Sequence, residues 1–208
     1  MKIGILNRPD IEELATRPFK EKTALISITD YDDEYAELEF KPEYLFQIKF
    51  DDVDNDIFLD LQKQGAHNIN LVTPTHYVPQ IASALKLAKK NGLAIPIVYN
   101  CGGYESVETL KTLQGLIDIY MPDMKYCDDK YALRYSNAPN YFEIAKNAIS
   151  EMFCQVGKNE FDEAGMMKRG VIVRHMMLPG LLFDSKKIID YMHEEYGEDV
   201  FISIMSQY

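Results

Sequence analysis

The chain has 208 residues, of which 47% are hydrophobic, with three cysteines and a formal net charge of −11. That hydrophobic content suffices for the core of one domain, or of a domain with a small appendage, while the acidic balance and the lack of any Lys/Arg block argue against a nucleic-acid partner. No apolar run approaches the roughly 18 to 20 residues of a membrane span, and no charged segment followed by an apolar stretch opens the chain, so no membrane association and a cytoplasmic location are expected. Cys101, Cys127 and Cys154 are neither even in number nor closely spaced, which favours reduced thiols over a disulfide framework. The ten methionines read as adaptable core filler.

The first 54 residues carry β signals in Lys2–Leu6, Thr23–Ile28 and Tyr44–Phe50, separated by polar stretches such as Asp30–Glu34. The acidic run Asp51–Asp56 reads as a hinge that could also cap the next helix, and places a boundary near residue 54. From there helices alternate with short apolar strands. Ile57–Gln64 is expected to be helical, Asn68–Val72 a strand, and Val78–Lys90 a helix with Ile81, Leu85 and Ala88 on one face, ended by Gly92. Strands are then expected at Ala94–Tyr99, Leu116–Tyr120, Gly170–Arg174 and Val200–Ile204, and helices at Ser106–Leu113, Tyr141–Gln155 and Ser185–Glu195. Strands joined by helices of this length call for right-handed crossovers and a parallel sheet, so residues 55–208 are expected to be α/β, behind a short β-rich N-terminal segment of residues 1–54.

In such sheets ligands gather outside the C-terminal ends of the strands, which selects four post-strand loops: Thr73–Tyr77, Asn100–Tyr104, Met121–Tyr126 and Arg174–Gly180. Their residues suit a small polar ligand. Thr73, Thr75, His76 and Asn100 offer hydroxyl, imidazole and amide groups, Asp123 and Lys125 opposite charges, and Arg174 and His175 two further nitrogen donors. Each has a plainer reading. Cys101-Gly102-Gly103 can be a turn using the freedom of glycine. Asp123 and Lys125, two apart and on the same side, can share a ligand or form an ion pair. Arg174 and His175 point oppositely if extended, so one of them faces the pocket, and His76 can cap or line a helix start. His67 and His193 are assigned to packing or solvent.

The segments Gly65–Tyr77, Ile97–Asn100, Asp118–Tyr126 and Val171–His175 through Leu178–Gly180, with the closing Ser203–Tyr208, resemble in order and spacing the successive signatures of radical S-adenosylmethionine (SAM) proteins of the pyruvate formate-lyase activating type. The resemblance covers about residues 55–208 and implies the parallel sheet of an incomplete (βα) barrel of radical SAM type. It implies that the loop of Thr73, Thr75 and His76 stands where activating enzymes contact the methionine amino group. It also implies that Asp123 and Lys125 lie beside the methionine carboxylate and ribose, and that Asn100, Arg174 and His175 complete the rim.

The same resemblance requires a Cys-x3-Cys-x2-Cys loop before Ile57 to hold a four-iron cluster, yet no cysteine precedes Cys101. An iron–sulfur cluster is therefore not supported by the cysteines present, whereas SAM remains a candidate ligand. The segment Lys22–Asp30 with Phe50-Asp51-Asp52 is similar to the opening of small phosphatase-like proteins of the cysteine-dependent class. Their Cys-x5-Arg loop is absent, because Val107, Leu133 and Glu160 stand at the arginine offset. Three functional expectations follow: a radical SAM-type fragment inactive by itself, a noncatalytic interaction module whose N-terminal strands cover a sheet edge, or a split enzyme completed by another chain. An uncovered edge would favour a homo-oligomer.

Overall fold

Strand and helix propensities set out along the sequence produce an α/β chain whose strands run mostly parallel. The computed structural model describes residues 56–206 in full, the backbone of Asn55, and before it the backbone of three strands, β1 (Lys2–Leu6), β2 (Thr23–Thr29) and β3 (Tyr44–Lys49). The expected hinge at residues 51–54 and the loop Asp30–Glu34 lie outside the described residues. The chain folds as two compact units, Met1–Val98 and Tyr99–Tyr208, while the sequence changes character near residue 54.

In the first unit the strand order is β3-β2-β1-β4, with β4 spanning Ile69–Val72 and every pairing parallel. Helix α1 (Asn55–Lys63) buries Phe58 and Leu61, three residues apart. Helix α2 (Val78–Lys90) buries Ile81, Leu85 and Ala88 along one stripe, the spacing expected of an amphipathic helix. It stops because Gly92 adopts φ +101°, where a side chain would be strained. Gln62 of α1 ties down the backbone that follows. Its amide donates to the Gly92 carbonyl at 3.0 Å, and its carbonyl accepts from Ala94 and Ile95 at 2.6 and 3.1 Å.

The second unit holds the end of β5 (Ile97–Cys101), then α3 (Val107–Lys111), β6 (Ile119–Pro122), α4 (Asp129–Ser136) and α5 (Tyr141–Val156). A two-residue β7 (Glu160–Phe161), the ten-residue β8 (Met167–Met176), α6 (Leu182–Tyr196) and β9 (Phe201–Met205) follow. β6 lies between β5 and β8. The other edge of β8 is shared: β7 pairs antiparallel with Met167 and Arg169, and β9 pairs parallel with Ile172 through Met176. Gln155 of α5 holds helix to sheet, accepting from the Tyr120 hydroxyl at 2.7 Å and donating to the Leu110 carbonyl at 2.9 Å. Among the described residues no helix is long and apolar enough to cross a membrane.

The start of α6 is fixed to the loop after β6 by one buried carboxylate. Asp184 accepts from the backbone N–H of Cys127 and of Asp128, both at 2.9 Å. Removing it leaves two amides short of an acceptor, and hydrogen bonds to a charged group contribute about 1.5–3 kcal/mol each. We expect Asp184→Ala to lower unfolding stability by about 3 kcal/mol, while Asp184→Asn, which keeps one acceptor oxygen, loses less; urea unfolding of the two variants checks the order.

Candidate functional site

Asp123 follows the last residue of β6, and every polar atom of it is engaged by a different segment of the second unit. Its N–H donates to the Cys101 carbonyl at the end of β5 at 3.0 Å, and the adjacent Met124 N–H donates to the Arg174 carbonyl of β8 at 2.8 Å. Its own carbonyl accepts from the Tyr141 hydroxyl at 3.2 Å. That hydroxyl lies 3.2 Å from the Gly102 carbonyl and accepts from the Lys125 N–H at 3.0 Å. Burial pushes the Tyr141 phenol well above its ordinary pKa, so it stays a neutral donor.

The carboxylate of Asp123 is held from two sides. Arg174 places both Nε and an Nη on Oδ1, at 2.8 and 2.6 Å, and Lys125 brings Nζ to 3.4 Å from Oδ2. Arg174 thus grips one oxygen rather than forking across both, and Oδ2 keeps capacity for a further donor. The side chains are 15% (Asp123), 26% (Arg174) and 32% (Lys125) exposed, so solvent reaches the cations. The group carries one negative and two positive charges at the C-terminal ends of β6 and β8.

The glycine pair has a structural task here. Gly103 sits at φ +79°, and a Cβ there would meet the Asp123 carbonyl oxygen at 1.9 Å. The close approach that glycine permits is therefore made by the protein's own backbone. Gly102 faces Lys125, whose Nζ lies 4.0 Å from where a Cβ would stand. Tyr104 continues the loop by stacking on Tyr141, ring centroids 5.9 Å apart and planes 3° from parallel, with its hydroxyl donating to the Pro139 carbonyl at 2.8 Å.

Of the residues expected at the rim, Asp123, Lys125 and Arg174 come together as one charged group. Asn100 is buried at the penultimate position of β5. His175, next in β8, is 1% exposed, and its Nδ1 lies 2.7 Å from the Met124 carbonyl. A carbonyl only accepts, so Nδ1 carries a proton and donates it, while Nε2 finds no hydrogen bond among the described residues. Thr73, Thr75 and His76 belong to the first unit. Thr73 adopts the left-handed conformation, φ 52°, before a single 3-10 turn Pro74–Tyr77 that contains Thr75 and His76, with His76 edge-on to Tyr77. Sequence reasoning missed Tyr141 and Asp184, the side chains that organise the loop after β6. The aromatic opening α5 gave no local signal of a role 16 residues away, in a hydrogen bond to Lys125.

The thiols are spread over three environments, buried Cys101, half-buried Cys127 and exposed Cys154. Burial, and then the Glu105 carboxylate, push the Cys101 thiol well up; burial and Asp184 push Cys127 up. Among the described residues no three His, Cys, Asp or Glu side chains gather as a metal site.

These features define an α/β protein with a charged, partly exposed group at the strand ends. No protein-family profile matches the chain. Over 150 residues it is 28% identical to an uncharacterized protein of Methanocaldococcus jannaschii, an alignment covering 71% of this chain. The aligned part is 39% of that relative, so the chain spans well under half of its length.

Two outcomes follow from this geometry. Gly103→Ala should cost at least about 3 kcal/mol in urea unfolding, since both a positive φ and a backbone clash oppose the methyl group. Alkylation of the native chain at neutral pH should modify Cys154 first and Cys127 more slowly, with Cys101 reacting only after denaturation, because a raised pKa leaves less thiolate; peptide mass mapping reads the order.

Proposed function

We propose that the chain is a radical SAM-type α/β fragment, related to the activating enzymes of glycyl-radical enzymes, that binds polar parts of SAM and does not cleave it by itself. The observation that carries this reading is the Asp123–Arg174–Lys125 group at the ends of β6 and β8, in the segments through which the sequence resembles that family. Lys125 and Arg174 would hold the methionine carboxylate, and Oδ2 of Asp123 would accept from an amino or hydroxyl group of the ligand. Thr73, Thr75, His76, Asn100 and His175 enter this reading through the resemblance alone.

The chain's residues do not fit a four-iron cluster. Cluster ligation needs three converging thiolates, and here one thiol is buried with its ionisation disfavoured, one half-buried and one exposed. SAM supplies a sulfonium whose reductive cleavage yields a 5′-deoxyadenosyl radical, and this chain's residues do no more than bind and orient it. A second reading, a noncatalytic interaction module, is favoured by the pairing of β1 on β4, which puts an N-terminal strand against the edge of the first strand after α1.

Calorimetric titration with SAM should give weak binding, with a dissociation constant on the order of 0.1–1 mM, weakened about tenfold by Lys125→Ala. After treatment with iron, sulfide and dithionite, chromatography should find no 5′-deoxyadenosine above the protein-free control. Product formation would overturn the inactivity; absence of any SAM binding would leave the interaction module as the better reading.

A further inference from the structure

β9 closes one edge of the second unit's sheet, pairing with β8 and with no other strand among the described residues. Which of its backbone groups are used is settled by one bond: the Met177 N–H donates to the Met205 carbonyl at 2.9 Å. Met205 therefore turns its polar backbone toward β8, and by alternation so do Ser203 and Phe201, leaving those of Ile202 and Ile204 directed outward. Ile204 is 52% and Phe201 50% exposed, and Phe201 meets the half-exposed Phe161 of β7 edge to face at 5.6 Å. The strand Phe201-Ile202-Ser203-Ile204-Met205 has no charge, no proline and no break in register with β8, so it lacks the devices by which a strand's own sequence protects a sheet edge.

We propose that β9 is a self-pairing edge, through which two copies of the chain associate as an antiparallel β9–β9 ribbon about a two-fold axis at Ser203. The register argues for a second copy rather than an unrelated strand. Antiparallel pairing about Ser203 sets Ile202 opposite Ile204 of the other copy and Phe201 opposite Met205, so apolar side chains meet on both faces. In the same register Ile202 and Ile204, whose N–H and C=O groups point outward, are the residues that exchange hydrogen bonds. A slip of one residue sets an outward-directed residue against one turned toward β8, and the ladder fails. The strip itself adds no charge repulsion. A chain of net charge −11 repels its like, and an uncharged strip lets two copies meet without opposing carboxylates; the nearest acid before it on β9's side, Asp199, is already paired with Lys158 at 3.0 Å. A five-residue strand is only about 17 Å long, short of the roughly 1,200 Å² of total buried surface typical of stable interfaces, so the dimer is weak and concentration-dependent.

The experiment is sedimentation equilibrium of the full chain from about 5 to 500 µM, the range that brackets weak interfaces. The weight-average mass should rise from monomer toward dimer across it. Ile204→Pro removes an outward N–H without touching a bond to β8, a position where edge strands tolerate proline, and should stay monomeric throughout with unchanged circular dichroism and melting. If the proline variant does not fold, Ile204→Lys at the same exposed position replaces it with the same expectation. A wild-type chain that is monomeric at the highest concentration overturns the proposal. So does a dimer that survives in either folded variant, since its interface then lies elsewhere. Slow amide exchange at Ile202 and Ile204 in a strictly monomeric wild type likewise overturns it, and would mean that the chain covers this edge itself.

Discussion

The second unit depends on the backbone of Asp123, because that residue is where three strand ends are joined. A parallel sheet satisfies its polar groups along the strands, but just beyond their C-terminal ends the backbone must find partners or water. Here Asp123 N–H goes to Cys101 and Met124 N–H to Arg174, so β5, β6 and β8 remain tied through the two residues that follow the end of β6. Tyr141 from α5 then binds the Asp123 and Gly102 carbonyls and the Lys125 N–H, and Gly103 lies so close to Asp123 that no Cβ fits. The carboxylate above this junction is positioned by a backbone that has little room to move.

Much of this architecture could be read from periodicity. The stripe Ile81, Leu85, Ala88 defined α2 from end to end, and the apolar runs located β4, β6, β8 and β9 within a few residues. The strand expected from Ala94 starts only at Ile97, since Pro96 has no N–H to give to a ladder, though its carbonyl accepts from Ile69 at 2.9 Å. Helix α4 was not expected: it is short and polar, with a single buried apolar residue, Ala132, which packs with Tyr126, Tyr141 and Ala145 of the flanking segments. The β7–β8 hairpin was not expected either. Its turn is built locally, by Asp162 accepting from Ala164 and Met166 and by Gly165 at φ +76°, but two strand residues are too few to give an alternation.

The site was legible in residue type and only partly in geometry. Alternation along β8 separated Arg174 from His175, and the structure keeps them apart, one at the carboxylate and one buried against Met124. The Asp123–Lys125 spacing left a ligand site and an ion pair equally open, and what resolves their relation is Arg174, 51 residues away in sequence. By taking both of its contacts on Oδ1, Arg174 satisfies that oxygen and leaves Lys125 to Oδ2 at ion-pair distance. The Lys125–Asp123 contact is the longer of the two, 3.4 Å against 2.6–2.8 Å for Arg174, and its side chains are partly buried. The three charges thus form a close Asp–Arg pair with a longer lysine contact beside it.

The two units treat sheet edges differently. In the first, β1 lies parallel to β4 in the register Gly4 with Asn70 and Ile5 with Leu71, and two more strands extend the sheet beyond it. The ladder bonds themselves are made by N–H and C=O groups that every non-proline residue carries. This explains how a segment with a different sequence character from residues 55–208 can serve as the neighbour of β4. In the second unit β8 is ten residues long and presents more edge than one neighbour uses, so β7 covers its first part and β9 its last. The covering passes the unsatisfied edge outward by one strand each time, and it ends either at a strand protected by charge, proline or a bulge or at one that pairs again. With Ile202 and Ile204 directing polar backbone away from β8 and no further strand paired there among the described residues, β9 is proposed to belong to the second kind.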